Sequence, residues 1–141
     1  MEQALKLEPR DLREVWDTIK PGLEAVKQAW PELSTWRVED VYAAVLQEQA
    51  VIYTTEDGFA VCMLETDEYS QRSDLFIWIA YSYENGPGGL MKKYLPSFIE
   101  VARSLGCRGV STASNHPALA KIADLKPVYT QYRVLVDGEE T

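Results

Sequence analysis

The chain has 141 residues, 46% hydrophobic and 26% charged, with a formal net charge of −8, which fits one globular domain spanning 1–141. Its 14 lysines and arginines are scattered, with only Lys92 and Lys93 adjacent, so the basic stripe that nucleic-acid binding needs is missing. The longest apolar stretch, Leu75 to Tyr81, is too short to span a bilayer, and no basic-then-apolar leader opens the chain, so a cytoplasmic protein with no membrane partner is expected.

The acidic balance is compatible with a basic substrate or partner, though a solvated acidic surface is the commoner reason for it. Cys62 and Cys107 each sit in a strand-like apolar run and read as small buried hydrophobes rather than as a disulfide. With one histidine and no cysteine at a metal-ligand spacing, no metal site is expected.

In chain order, Pro9-Arg10-Asp11 opens a helical stretch with Leu12, Val15, Trp16 and Ile19 on one face. Pro21-Gly22 is expected to break it, with a second short helix carrying Leu23, Val26, Ala29 and Trp30. Residues 1–37 thus form a helical segment packed on the rest. Val38 to Gln47 gives a further helix with Val41, Tyr42 and Val45 on one side.

The period then changes. Ala50 to Thr54 is rich in β-branched residues, Glu56-Asp57-Gly58 signals a hairpin, and Phe59 to Glu65 returns. Leu75 to Tyr81 is apolar at nearly every position, as in a central strand covered on both faces. After "YENGPGG", Leu90 to Leu105 reads as a helix closed by Gly106 as its cap. Gly109 to Thr112 is a short strand, His116 to Ala123 a short helix, and Val128 to Val136 an alternating last strand. This order predicts an α/β fold: a mixed sheet of five or six strands with helices on both faces. The strands at Leu75–Tyr83 and Gly109–Ala113 should lie side by side and parallel, joined by a right-handed crossover through the helix at Leu90–Leu105.

Gly86-Pro87-Gly88-Gly89 admits two readings. It is either a tight turn or a cradle in which backbone N–H groups at a helix start hold a phosphate. The element order, with this turn after the most buried strand, resembles the GNAT superfamily of N-acetyltransferases from about Val38 to Val136. In that family the turn reads Q/R-x-x-G-x-G/A and holds the pyrophosphate of acetyl-CoA. Gly86-Pro87-Gly88 fits the G-x-G element, while Tyr83 stands where the family has Gln or Arg, and Pro87 removes one donor.

The resemblance implies acetyl-CoA as the cofactor, bound by Tyr81, Tyr83, Gly86, Gly88, Gly89, Leu90 and Asn115. It extends to "SNHPALAKIADLKPVY", where Asn115, Ala118 and Leu125 match in register. Ile122 replaces the tyrosine that protonates the departing thiolate in many members, and Lys126-Pro127 replace Gly-Phe. A base for the substrate amine is sought among Glu84, Glu65 and Asp67, with Asn115 as a further catalytic candidate; each carboxylate reads more readily as a solvated loop residue. His116 fits the start of a helix better than catalysis.

The segments "WRVEDVYAAVLQEQAVIYTTEDGFAVCML", "FIWIAYS" and "RSLGCRGV" are also similar to small GNAT-like proteins of tailed phages, some virion-associated. Trp78 and Tyr42 read as core, whereas Trp30 and Trp36 flank a polar loop and could meet a partner. Three functions stand: an acetyltransferase acting on a small amine or a protein amine; a non-enzymatic phage GNAT-like protein that serves the virion or binds a host protein; and a small-ligand binder. A homodimer is left open.

Overall fold

The computed structural model describes residues 5–31, 34–87, 90–113, 125, 126, 128, 132, 134 and 136. Six strands form one sheet: β1 (Leu5–Leu7), β2 (Val51–Thr54), β3 (Gly58–Thr66), β4 (Ser73–Ser82), β5 (Gly86–Pro87) and β6 (Gly109–Thr112). The order runs β1-β2-β3-β4, and both β5 and β6 lie against the far edge of β4. Every pairing is antiparallel except β4 with β6, which is parallel as expected, with helix α3 (Met91–Ser104) between them in the chain. Helices α1 (Leu12–Ala29) and α2 (Val38–Leu46) cover the opposite face.

Two cores follow. Leu12, Ile19 and Leu23 of α1 and Val41 and Val45 of α2 pack with Ile52, Phe59, Val61 and Ile79. On the other face Tyr94, Leu95, Phe98 and Ala102 of α3 pack with Ala60, Cys62, Leu75 and Ile77. The continuous apolar run of β4 is thus explained, since its two faces are both covered.

Two expectations are corrected, and a third feature is new. Pro21-Gly22 does not end the first helix. Pro21 lies on the exposed side inside α1, where the Asp17 carbonyl goes without its helical donor. Gly22 is buried, and a Cβ there would lie 2.8 Å from the rings of both Phe59 and Tyr81. The glycine lets α1 approach the sheet, and this packing outweighs its poor helix propensity. The segment before residue 37 is not wholly helical either, because Leu5–Leu7 adds an edge strand to β2. The third difference lies in β4. Val61 faces Ile79 while Cys62 faces Ile77, so Trp78 is an extra residue, a β-bulge. Leu75 and Ile77 point to the α3 core, whereas Trp78 and Ile79 both pack on the α1–α2 side.

Gly106, with φ +75°, follows α3 in the left-handed conformation expected of its cap. The helix expected at His116–Ala123 lies outside the described residues. So does most of the expected strand Val128–Val136, of which Val128, Tyr132, Val134 and Val136 are described and exposed.

Candidate functional site

The β-bulge and the parallel pair meet at one place. β4 and β6 are paired from Asp74 opposite Gly109 to Ile77 opposite Thr112, and Trp78 comes next. A bulge bends its strand and increases its twist. Beyond Ile77 no described residue pairs with that edge of β4 until Pro87 and Gly86 of β5 meet Tyr81 and Ser82. The backbone edge from Trp78 to Ala80 is therefore open among the described residues. Thr112 closes the last rung of the fork, its hydroxyl donating to the Ile77 carbonyl at 2.9 Å. One rung earlier, Ser111 carries a buried hydroxyl with no hydrogen-bond partner among the described residues.

At the far end of β4 the chain turns sharply. Ser82 is buried, and its hydroxyl accepts from the Asn85 N–H at 3.1 Å. Gly86 has φ +78° and lies opposite Ser82 in the ladder, so this glycine closes a hairpin, with open space where a Cβ would stand. Gly88 and Gly89 lie outside the described residues. Leu90 caps α3 with its carbonyl, which accepts from Tyr94 N–H at 3.0 Å, and its own side chain makes no cap bond. The first-turn N–H groups thus have no side-chain acceptor from the cap, and the first turn holds Lys92 and Lys93 rather than an acid. Cations at the positive end of a helix dipole are unfavourable alone and favourable beside an anion.

The anion present there is Asp57, from the turn between β2 and β3. Its carboxylate accepts from Lys93 Nζ at 2.7 Å and from the Tyr94 hydroxyl at 2.6 Å. These bonds, Lys93 first, hold its pKa below the ordinary carboxylate range. Nothing in the local sequence marks this contact; Glu56-Asp57-Gly58 announces only a turn.

The remaining expected residues fall in different places. Tyr83 is half exposed, sets its ring edge-on to Tyr81, and donates its N–H to the Asp57 carbonyl at 2.8 Å. Burial, and then Tyr81, push its phenol pKa up. Tyr81 itself packs tilted on Phe59 and against Gly22, on the α1 side. Leu90 is buried in the α3 core, so its backbone alone is available to a ligand. Glu84 is exposed in the turn. Glu65 pairs with Asp74, at the opposite end of β4 from Ser82, roughly 25 Å along the strand; Glu65 and Glu84 are not brought together. Asp67 is engaged locally: its carboxylate accepts from the N–H groups of Tyr69 at 2.8 Å and Ser70 at 3.2 Å, which lower its pKa. Asn115, His116 and Ile122 lie outside the described residues.

Beside the fork, Trp36 sets its ring edge-on to Trp78 at 6.0 Å. Lys27 lies 5.0 Å from the Trp36 ring and donates to the carbonyls of Ser34, at 3.2 Å, and Trp36. Trp30 and Trp36 are both half-buried against the α1–α2 core, so packing takes up much of each ring. Cys62 is fully buried, and burial pushes its thiol up to about 12, which removes it as a nucleophile. Among the described residues no cluster of His, Cys, Asp or Glu could hold a metal, and no helix is long and apolar enough to cross a membrane.

No family model and no curated protein sequence matches the chain. Solved structures do. A probable acetyltransferase superposes with a TM-score of 0.67 at 11% identity, covering 95% of this chain and 98% of that one. The ribosomal-protein-alanine N-acetyltransferase of Brucella melitensis biovar Abortus 2308 gives 0.66 at 12%, covering 96% and 99%. A predicted acetyltransferase from Clostridium acetobutylicum, solved with acetyl-CoA, gives 0.63 at 9% over the full length of both. At such identities the likeness concerns the fold: this chain folds as the GNAT-like acetyltransferases do.

Proposed function

We propose that this protein is an acyl-CoA-dependent N-acetyltransferase of the GNAT type, acting in the cytoplasm on a small amine or a protein amine. The observation that carries the reading is the fork, a parallel β4–β6 pair that ends at the Trp78 bulge and, among the described residues, leaves the edge of β4 open. It lies on the same strand as a glycine turn that leads to a helix start whose cap residue makes no side-chain bond.

The residues present suit the cofactor. The turn from Gly86 through Gly88, Gly89 and Leu90, with the first-turn amides of α3, would hold its pyrophosphate. Lys92 would neutralise phosphate charge while Lys93 balances Asp57, and the edge of β4 left open among the described residues offers backbone groups to an extended arm. When bound, acetyl-CoA supplies a thioester whose acetyl carbon is attacked by the amine, with the thiolate as leaving group. Glu84 lies in the turn at the phosphate end, roughly 20 Å along β4 from the rung of Ser111, so it does not reach the fork, and the amine proton would pass to water. Ser111 carries the hydroxyl at the fork that would donate to the leaving sulfur. With Ile122 at the position of the usual tyrosine, turnover is expected to be weak, since a positioned acid adds about 10²–10⁴-fold.

Calorimetry with acetyl-CoA tests the reading. Binding by the native protein, abolished in Gly88→Val, supports it; no heat at millimolar acetyl-CoA overturns it. Ile122→Tyr should then raise acetyl transfer to generic amines. A second reading, a phage GNAT-like protein that binds a virion or host partner without chemistry, is favoured by the two replaced residues, Tyr83 and Ile122. It does not require acetyl-CoA binding.

A further inference from the structure

The turn that follows β4 is held from outside. The main-chain carbonyl of Asp57 accepts from the Tyr83 N–H, where the turn begins, at 2.8 Å. Its carboxylate accepts from Lys93 and Tyr94, where the turn has become helix, at 2.7 and 2.6 Å. One residue of the β2–β3 hairpin therefore grips both ends of the segment 83–94. The grip is itself fixed. The N–H groups of Asp57 and Gly58 both donate to the Thr55 hydroxyl at 3.0 Å. Gly58 sits so close to β4 that a Cβ would lie 1.9 Å from the Tyr81 carbonyl oxygen and 2.5 Å from Leu90. Tyr94 is 1% exposed, and a phenol buried to that degree needs a partner for its hydroxyl; Asp57 provides it.

A carboxylate is an unfavourable neighbour for a phosphate, because like charges repel. Its place here is intelligible if the geometry it imposes is worth more than its repulsion, which Lys93 offsets. We infer that Asp57 is a positioning residue for the phosphate end of the site, fixing the direction of the turn and first-turn amides by tying the hairpin to Tyr83 and Tyr94. The inference rests on the proposed binding of a coenzyme A pyrophosphate at this turn.

The test compares coenzyme A with pantetheine, which lacks the pyrophosphate, by calorimetry at a temperature where circular dichroism shows each variant folded. Asp57→Ala should lose about tenfold in affinity for coenzyme A, or about 1.4 kcal/mol, and nothing for pantetheine. Asp57→Asn keeps an oxygen for the Tyr94 hydroxyl and should stay within about threefold of the native protein. Tyr94→Phe, which preserves the core volume, should weaken coenzyme A binding in the same direction and serves if Asp57→Ala does not fold. Unchanged or tighter coenzyme A binding by Asp57→Ala would overturn the inference, as would an equal loss for pantetheine. If the native protein binds neither probe, the functional reading fails on its own account, and hydrogen exchange decides the positioning role. Faster exchange at the Tyr94 amide in Asp57→Ala supports the role, and unchanged exchange removes it.

Discussion

Replacing Gly22 by alanine separates two accounts of the first helix. If Pro21-Gly22 were a break, alanine would be neutral or stabilising, because it exceeds glycine in helix propensity by about 0.8–1.0 kcal/mol. In the folded protein Gly22 lies inside α1, with the added methyl 2.8 Å from Phe59 Cε1 and from Tyr81 Cδ2, and 3.0 Å from Phe59 Cζ. Phe59 is fully buried, so its ring has no solvent to retreat into. Overpacking of this kind costs about 1–3 kcal/mol, and two rings struck at once place the site at the upper end. Subtracting the propensity gain leaves a net loss of about 2 kcal/mol. For a domain of this size that lowers Tm by roughly 5–8 °C. Urea unfolding followed by tryptophan fluorescence should show a lower midpoint with an unchanged slope. A Gly22→Ala protein as stable as the native one, or more so, would refute the close approach of α1 to β3 and β4.

Gly58→Ala should be more damaging, about 3 kcal/mol or more, because the methyl meets the Tyr81 backbone oxygen at 1.9 Å and backbone cannot swing aside; thermal unfolding at least as stable as Gly22→Ala would contradict this. Phe98→Ala empties the α3 side of the sheet and should cost about 3–5 kcal/mol, since Phe98 is fully buried; a loss below about 1 kcal/mol would mean that α3 is not seated there. Asp57 gives a pH signature. Its folded pKa lies below its unfolded one, so its contribution is complete above about pH 5 and is lost as pH falls through the folded value. The difference in urea midpoint between native protein and Asp57→Asn should accordingly be full at about pH 6 and shrink as pH falls below the ordinary carboxylate range, and a difference that grows on acidification would reverse the sign of the assignment.

The elements legible in the sequence are those whose signal is local. β-Branched residues around Glu56-Asp57-Gly58 announce the β2–β3 hairpin, and the unbroken apolar run announces a strand covered on both faces. The spacing of Tyr94, Leu95, Phe98 and Ala102, ended by Gly106, announces α3, and Gly109–Thr112 is a strand with the expected bounds. From these the parallel crossover follows, because the helix between the two strands leaves few other ways to cover the sheet. What only tertiary structure decides is where separate segments meet. Leu5–Leu7 is too short to declare itself and becomes a strand by pairing with β2. Pro21-Gly22 reads as a break until Phe59 and Tyr81 are seen against the glycine. The Trp78 bulge has no local signature, because every residue near it is apolar whichever face it points to; it exists as a register shift against β3. Glu65 and Glu84 look alike as acids next to strands, and only the antiparallel register sends them to opposite ends of β4. Asp57 meets Lys93 and Tyr94 across 36 and 37 residues, a contact that no periodicity encodes, since it is made by the fold bringing a hairpin tip to the start of a helix.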